Sequence, residues 1–585
     1  MIATRKSWRL LPHDASAVER LAQALRLSPV VAQLLLNRGL AEPETARRFL
    51  EAPLKGLHSP ERLPGLSQAA DRVYAAVRDK RRICVYGDYD VDGLTGTAIL
   101  WQLLQRLGTP VEFYVPNRLE EGYGLNLEAI GQLARSRVSL IVTVDCGIAS
   151  TREAEEARRL GVELVITDHH QPKETLPQAD AIVHPSLPGA EYPFTALSGS
   201  GVAFKLAWAL CQRDSGGEKV AAHWREYLLD GVVLAALGMV ADVVPLHDEN
   251  RIFVRYGVAR LRENPCLGLA VLLEAAGLTG KRDLCATDIA YSVAPRLNAA
   301  GRLGCARLVV ELLSCASRER AVDLARYLEA QNQKRQQIER RMLAEACERI
   351  ARDDLDSAPA LVLSSPEWHA GVIGIVAGRL VELYARPVLL IACNGDAQIG
   401  HGSGRSVPGF GLHEALSACS ESLLSHGGHA AAAGFRIPME RVDGFRERFC
   451  DYAGKYLPSL PGPSLTLDGE LPLELLTPGL VESLNHLEPY GAGNPRPLFL
   501  AGPVRVTGQP RRVGRGERHL QFSVRQQDRT FKAIGFNLAD RAEELMSAEG
   551  HCSLAFTPIF NEWQGYRSIQ LEVKDFQAGT KAEIV

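Results

Sequence analysis

From Ile83 onward, short runs of apolar and β-branched residues recur: Ile83 to Tyr86, Val111 to Val115, Leu140 to Val144, Val162 to Ile166 and Ala181 to Val183. Stretches with helical spacing separate them, and this alternation predicts a parallel α/β sheet. Right-handed crossovers would place the carboxyl end of every strand on one side. Upstream, residues 1 to about 75 show helical periodicity broken by Pro29, Pro43, Pro53, Pro60 and Pro64, which predicts short helices leading into the first domain. Downstream, residues 200 to 350 read mainly as helix, and Arg318 to Arg352 form a charged segment almost free of breakers, expected to be a linker helix. A second α/β unit is expected from about Ala358 to Leu457, closed by Pro458, Pro461 and Pro463. From about Ser464, strand-like runs such as Gln521 to Val524 and Ser568 to Val573 alternate with Gly-rich turns, as in a small β-barrel. The expected domains are therefore 1–75, 76–317, a linker over 318–357, 358–463 and 464–585.

Composition narrows the class without choosing a function. At 585 residues, 46% hydrophobic and 23% charged, the chain reads as a folded protein of several domains. Its first residues lack the apolar stretch of a signal peptide, and no later run approaches the roughly 18 apolar residues of a membrane span, so a soluble cytoplasmic protein is expected. The twelve cysteines come no closer than Cys305 and Cys315, which leaves neither a zinc knuckle nor a redox pair and predicts reduced thiols. A net charge of −3 means that a nucleic-acid partner must be argued from local patches.

The chemistry-bearing pattern is acidic. The strand Ile83 to Tyr86 runs into Gly87-Asp88-Tyr89-Asp90-Val91-Asp92-Gly93, followed by an apolar helix from Leu94 to Leu107. Two further apolar runs end at Asp145-Cys146-Gly147 and at Asp168-His169-His170, and a fourth acid, Asp242, sits in the apolar run Gly238 to Val244. Any one of these could be a solvated turn or a satisfied cap. Four such motifs, all expected at apolar strand ends that parallel topology brings together, point instead to a shared site. Carboxylates crowded in this way repel one another unless cations neutralise them, so a divalent metal is the natural complement. Carboxylates with one or two imidazoles suit Mn²⁺ or Mg²⁺, with Mn²⁺ the first choice because imidazole is a poorer partner for Mg²⁺. Two ions about 3.5–4 Å apart would support hydrolysis of a phosphoester.

The ordered set Asp88-Tyr89-Asp90-Val91-Asp92-Gly93, Val144-Asp145-Cys146-Gly147, Asp168-His169-His170 and Ala241-Asp242 resembles the motifs of the DHH phosphoesterases. That resemblance implies Asp90, Asp92, Asp145, His169 and Asp242 as metal ligands, an orienting role for Asp88, and a phosphate contact or supporting role for His170. Departures from the pattern are Val91 where a smaller Ala is expected and His184 where Asn is commoner. The segment Pro295-Arg296-Leu297-Asn298 to Gly304, the segment Gly402-Ser403-Gly404-Arg405-Ser406, and Gly427-Gly428-His429 resemble substrate-facing parts of the RecJ exonucleases within that superfamily. Small residues beside arginine let a backbone and a guanidinium approach a phosphate closely. The resemblance implies that Arg296, Asn298 and His429 face substrate, that Arg118, Arg302, Ser403 and Arg405 hold a 5′-terminal phosphate, and that degradation proceeds from the 5′ end.

The fold expected is thus a DHH-type parallel-sheet domain joined by a long helix to a second α/β domain, with a C-terminal OB-like barrel. From Arg505 to Lys532 the chain carries seven Arg and one Lys against Glu517 and Asp528. Arg511, Arg512, Arg515 and Arg518, interleaved with Phe522 and Phe531, fit a barrel that tracks a strand by charge and stacking. The expected activity is a single-stranded-DNA-specific 5′–3′ exonuclease with two Mn²⁺, Mg²⁺ substituting, acting as a monomer in recombination and repair. By family analogy its partners include a single-strand-binding protein and a helicase, and no membrane. A DHH nanoRNase or nucleotide phosphatase and a non-catalytic single-strand-binding scaffold are the competing readings. The extra C-terminal domain argues against the first, and retention of every expected ligand against the second.

Overall fold

In the computed structural model, which describes residues 6–118, 120–189, 191–393, 398–457, 464–514, 516–563, 566–579 and 581–584, the run Ile83–Gly87 is buried at every position. Its neighbour Leu140–Val144 is too. Continuous burial of this kind belongs to a parallel sheet covered on both faces. The sheet has five strands in the order Val111–Tyr114, Ile83–Gly87, Leu140–Val144, Glu163–Thr167 and Ala181–Val183, all parallel. Helices Leu66–Arg78, Val91–Arg106, Gly199–Ser215 and Ala222–Asp242 bury their apolar sides in a core on one face. Helices Leu127–Arg135 and Thr151–Arg159 cover the other. The strands ending at Gly87, Val144 and Thr167 therefore deliver Asp88, Asp145 and Asp168 side by side.

The segment Arg318–Arg352 is one helix of 35 residues. Ala321, Leu324, Ala325 and Leu328, at helical spacing, enter the core of the first domain. Met342, Ala346 and Ile350 enter the core of the second. Residues 54–460 accordingly form one compact unit. The second domain carries a five-stranded mixed sheet in which Leu361–Ser365 and Val388–Cys393 are parallel and the remaining pairs antiparallel. On the strand Ile399–Arg405, alternation sets Gly402 and Gly404 toward Phe435 and Leu412, and places Ser403 and Arg405 on the opposite face, beside Gly374 of helix Ile373–Tyr384.

The other compact unit combines residues 4–53 with 461–585. Phe499–Val513 pairs with His519–Gln526 on one side and His551–Trp563 on the other, which closes a five-strand barrel with Arg529–Gly535 and Tyr566–Ala578. Two sequence expectations change here. The N-terminal residues do not lead into the first domain. Ser7–Leu10 pairs in parallel with Ser464–Leu467, Trp8 Nε1 donates to Asp575 Oδ2 at 2.8 Å, and Arg38 Nε donates to Asn494 Oδ1 at 2.6 Å. Val31, Leu34 and Leu35 share a core with barrel residues Phe499, Leu520 and Phe556. A break at about residue 54 replaces the expected lead-in over 1–75, because a four-residue strand and long-range pairing leave no local signature in sequence. Phe522 and Phe531 are the second change: both are buried in the barrel core, so neither is presented for stacking. All twelve cysteines are unpaired, and no described helix is long and apolar enough to cross a membrane.

Candidate metal centre

The turn after Ile83–Gly87 is shaped by its own aspartates. Asp90 caps helix Val91–Arg106, its Oδ1 accepting the backbone N–H of Asp92 (3.0 Å) and Gly93 (3.1 Å). Asp92, on the first turn of that helix, is buried. Asp145 has a φ of 63°, a left-handed conformation that aspartate tolerates better than most residues, and its N–H donates to the Thr167 carbonyl at 3.0 Å. That backbone aims its carboxylate along the sheet edge toward Asp92 and His169. Asp242 corrects one expectation: it ends helix Ala222–Asp242 rather than a strand, and Val243, in the left-handed region at φ 61°, caps the helix immediately after it.

These acids converge. His169 Nε2 lies 3.1 Å from Asp145 Oδ1, 3.7 Å from Asp242 Oδ2 and 3.9 Å from Asp92 Oδ2. Three overlapping sets have ligand atoms all within 4.8 Å of one another: Asp88, Asp90 and Asp145; Asp92, His169 and Asp242; and Asp145, His169 and His170. Asp88 Oδ1, Asp92 Oδ2, Asp145 Oδ1 and His169 Nε2 are buried with no hydrogen-bond partner. An unpartnered buried polar atom is costly, and four aimed into one nest form a donor set for hard divalent cations. Electrostatics agree. Burial, then Asp90, pushes the Asp88 carboxyl well above the carboxylate range, and burial, then Asp92 and the other acids, does the same to Asp145. Burial and Asp90 raise Asp92 to about 6, and burial and Asp92 raise Asp242 to about 8. Burial and the His170 charge lower His169 to about 3, leaving a neutral imidazole suited to ligation.

Asp168 organises the site from behind. Its Oδ1 accepts the backbone N–H groups of His169 (2.7 Å) and His170 (3.1 Å) and lies 2.8 Å from His170 Nδ1, while Oδ2 accepts Ile148 N–H at 2.9 Å. Burial alone would raise this carboxyl, but His170 and those donors bring it to about 2. Burial lowers His170 in turn, yet the hydrogen bond and charge of Asp168 outweigh it and lift the imidazole to about 9. His184, the departure noted in the sequence, is buried with Nε2 at 2.7 Å from the His170 carbonyl and Nδ1 accepting Ser186 N–H. Sequence reading placed Asp168 in its motif without giving it a role. It missed Tyr123, which is half exposed over the site with its hydroxyl 3.0 Å from the Asp145 carbonyl and 3.1 Å from His170 Nδ1. The triplet Asp168-His169-His170 held the signal for the first; nothing local marks the second.

A cationic pocket adjoins the acids. Burial first, then Arg118, Arg405 and Arg335, lowers Arg302 to about 9, with Asp90 opposing. Burial and Arg118 lower Arg405 in the same way. Arg302 Nη1 donates to the Gly371 carbonyl at 3.2 Å, and Arg405 Nη1 to Ser403 Oγ at 3.3 Å. Arg118 lies over the Tyr89 ring at 4.9 Å. His429, exposed on the turn before strand Ala432–Pro438, weighs on His169. Arg296 is paired with Glu329 at 2.6 Å, and Asn298 Oδ1 accepts the Val91 N–H at 3.3 Å, so that side chain braces the acidic turn. On the barrel, Arg511, Arg512 and Arg518 are exposed, as are the neighbouring Arg505, Arg525, Arg529 and Lys532; Arg515 lies outside the described residues. Exposed aromatics on the barrel include Phe536, edge-on to His519 at 5.2 Å, and Tyr566.

Three family models match the chain: the DHH family N-terminal domain over residues 82–235, the DHHA1 domain over 357–455 and the RecJ OB domain over 467–575. The chain is 37% identical over 577 residues to the single-stranded-DNA-specific exonuclease RecJ of Bacillus subtilis, covering 98% of this chain and 71% of that protein. It is similar to the crystal structure of RecJ in complex with Mn²⁺ from Thermus thermophilus, with TM-score 0.82 and 35% identity over 99% of this chain and 80% of that one. The Mg²⁺ complex from the same organism gives TM-score 0.76 and 33% identity, over 98% and 79%.

Proposed function

Because the chain belongs to the RecJ family of single-stranded-DNA-specific exonucleases, we propose that it hydrolyses phosphodiester bonds of single-stranded DNA from a 5′-phosphorylated end, using divalent ions held by Asp90, Asp92, Asp145, His169 and Asp242, with Asp88, whose buried Oδ1 lacks a partner, as a further ligand in place of the orienting role expected from sequence. The observation that carries this reading is the pairing of two opposite pockets: unpartnered buried acceptors on one side, and Arg302 crowded by like charges on the other. Each pocket calls for what a 5′-terminal nucleotide and its metals would bring.

Two Mn²⁺, or Mg²⁺ in their place, would supply the Lewis acidity that activates water and offsets charge on the scissile phosphate. The chain's own residues do the rest. Arg118, Arg302, Ser403 and Arg405 bind the terminal phosphate, and arginine's fixed fork of donors sets its orientation. That anchor places the first internucleotide phosphate over the acids. His170, held by Asp168, offers a cationic imidazole beside it, and His429 approaches from the second domain. Tyr123 covers the site. The barrel cations hold the trailing strand by charge. On this reading the chain works as a cytoplasmic monomer in recombination and repair, alongside a single-strand-binding protein and a helicase.

Digesting the same oligonucleotide with 5′-phosphate or 5′-hydroxyl ends, as single strand, duplex and RNA, with Mn²⁺, Mg²⁺ or EDTA, tests the proposal. Metal-dependent loss of the 5′-phosphorylated single-stranded DNA first supports it; equal loss from 3′ ends, or hydrolysis of dinucleotides alone, replaces it.

A further inference from the structure

Of the three overlapping sets, two share no residue, and the protein supports these two nests differently. Asp88, Asp90 and Asp145 form one, braced by the backbone of the turn that Asp90 itself caps. Asp92, His169 and Asp242 form the other, and there the support comes from a different helix. Ser200, fully buried near the start of helix Gly199–Ser215, donates its hydroxyl to Asp92 Oδ1 at 2.5 Å and its backbone N–H to the same oxygen at 3.2 Å. Two donors on Oδ1 leave Oδ2 as the free atom, and Oδ2 is the unpartnered one that faces His169 Nε2.

The packing around this contact leaves no slack. A Cβ on Gly238, on the helix that ends at Asp242, would lie 2.3 Å from Ser200 Oγ and 2.4 Å from Asp92 Oδ1. A Cβ on Gly199 would lie 2.5 Å from Asp145 Oδ1. Glycines let the two helices close on the carboxylates, and although the Ser200 hydroxyl also lies 3.0 Å from Ser198 Oγ and 3.3 Å from the Ala235 carbonyl, its shortest contact is the one to Asp92 Oδ1.

We infer that Ser200 is a positioning residue: it fixes which oxygen of Asp92 is presented to an ion, and so sets the affinity of the Asp92–His169–Asp242 nest without setting that of the Asp88–Asp90–Asp145 nest. The inference rests on the metal reading above. Outer partners of metal ligands commonly govern affinity about 10- to 100-fold, because they hold a ligand in its binding orientation.

Mn²⁺ titration of the full chain by calorimetry, with free Mn²⁺ followed by electron paramagnetic resonance, separates the possibilities. Wild type should show two binding phases. Ser200→Ala should weaken one by about 10- to 100-fold and leave the other in place. Gly238→Ala, which retains the hydroxyl but pushes on the same contact, should weaken the same phase, and Asp90→Asn the other. Thr97→Val removes a buried hydroxyl bonded to the Gly93 carbonyl at 2.7 Å, and should lower the melting temperature without moving either phase. Unchanged constants in Ser200→Ala, or both phases weakening together, would overturn the assignment to Ser200 while leaving the metal reading intact. A single wild-type phase would overturn the two-nest division, and no Mn²⁺ binding by wild type would overturn the metal reading with it.

Discussion

The acidic nest and the cationic face of the barrel solve opposite problems. In the nest, Asp88, Asp92 and Asp145 are buried, and neighbours such as Ser200, Asp168 and Asn298 constrain the geometry. Along barrel residues 505–532, seven described cations are exposed, and ion pairs such as Arg512 with Asp540 at 3.8 Å lie in solvent. Buried charge in a low-dielectric setting is strong and intolerant of loss, whereas exposed charge is screened and redundant. Chemistry is therefore concentrated in a few side chains and affinity is spread over many.

The largest effect should come from the nest. Asp145→Ala removes a ligand atom shared by the nest and should abolish hydrolysis while circular dichroism and single-strand affinity stay near wild type; retained turnover in Mn²⁺ would remove Asp145 from the centre. Next comes the anion pocket. Charged hydrogen bonds contribute about 1.5–3 kcal/mol each, so Arg405→Ala should cost about ten- to a hundredfold on 5′-phosphorylated substrate and much less on a 5′-hydroxyl one. Equal losses would make Arg405 a general backbone contact.

Protons compete with metal for the nest, and this sets a pH signature. Asp242 is raised to about 8 and His170 to about 9, both above their ordinary values, so between about pH 6.5 and 9 the metal-free fold binds more protons than the unfolded chain. Its stability should fall as pH rises through that window. Melting in EDTA should thus give a lower midpoint at pH 8.5 than at pH 6.5, with Mn²⁺ narrowing or reversing the gap. A flat or rising midpoint in EDTA would contradict the charge assignment.

The smallest single effects belong to the barrel. Replacing Arg511 and Arg512 should flatten the salt dependence of single-strand binding by about 0.7 per lost phosphate contact, with turnover on short oligonucleotides preserved. An unchanged slope would make this a solvated face. Removing residues from 464 onward is a harsher change than it looks, since Val31, Leu34 and Leu35 would lose their core. That truncation should aggregate unless residues 1–53 go with it, as light scattering would show.

What the sequence disclosed follows the same division. Asp88, Asp145 and Asp168 were legible because short buried strands end in acid, and parallel topology brings such ends together. The helix Arg318–Arg352 was legible because charge and helical spacing persist for its whole length. Asp242 was found as an acid in an apolar run but placed on a strand, because an apolar run of that length fits either element. Ser200 and Tyr123 carry no local mark: they matter through residues 108 and 22 positions away, Asp92 and Asp145. The pairing of Ser7–Leu10 with Ser464–Leu467 was hidden for the same reason. Phe522 and Phe531 show the limit of composition, since alternation along a strand leaves open which face a ring occupies.

The central claim is that a metal-loaded acidic nest acts on the first linkage beyond a 5′-phosphate held by Arg118, Arg302 and Arg405. The most direct test is the first labelled product from a single-stranded oligonucleotide carrying ³²P at its 5′ end, incubated with enzyme and Mn²⁺. The account predicts that label appears at once as mononucleotide, with none in EDTA. Label that stays on a ladder of steadily shortening strands would place the attack at the other end and contradict it.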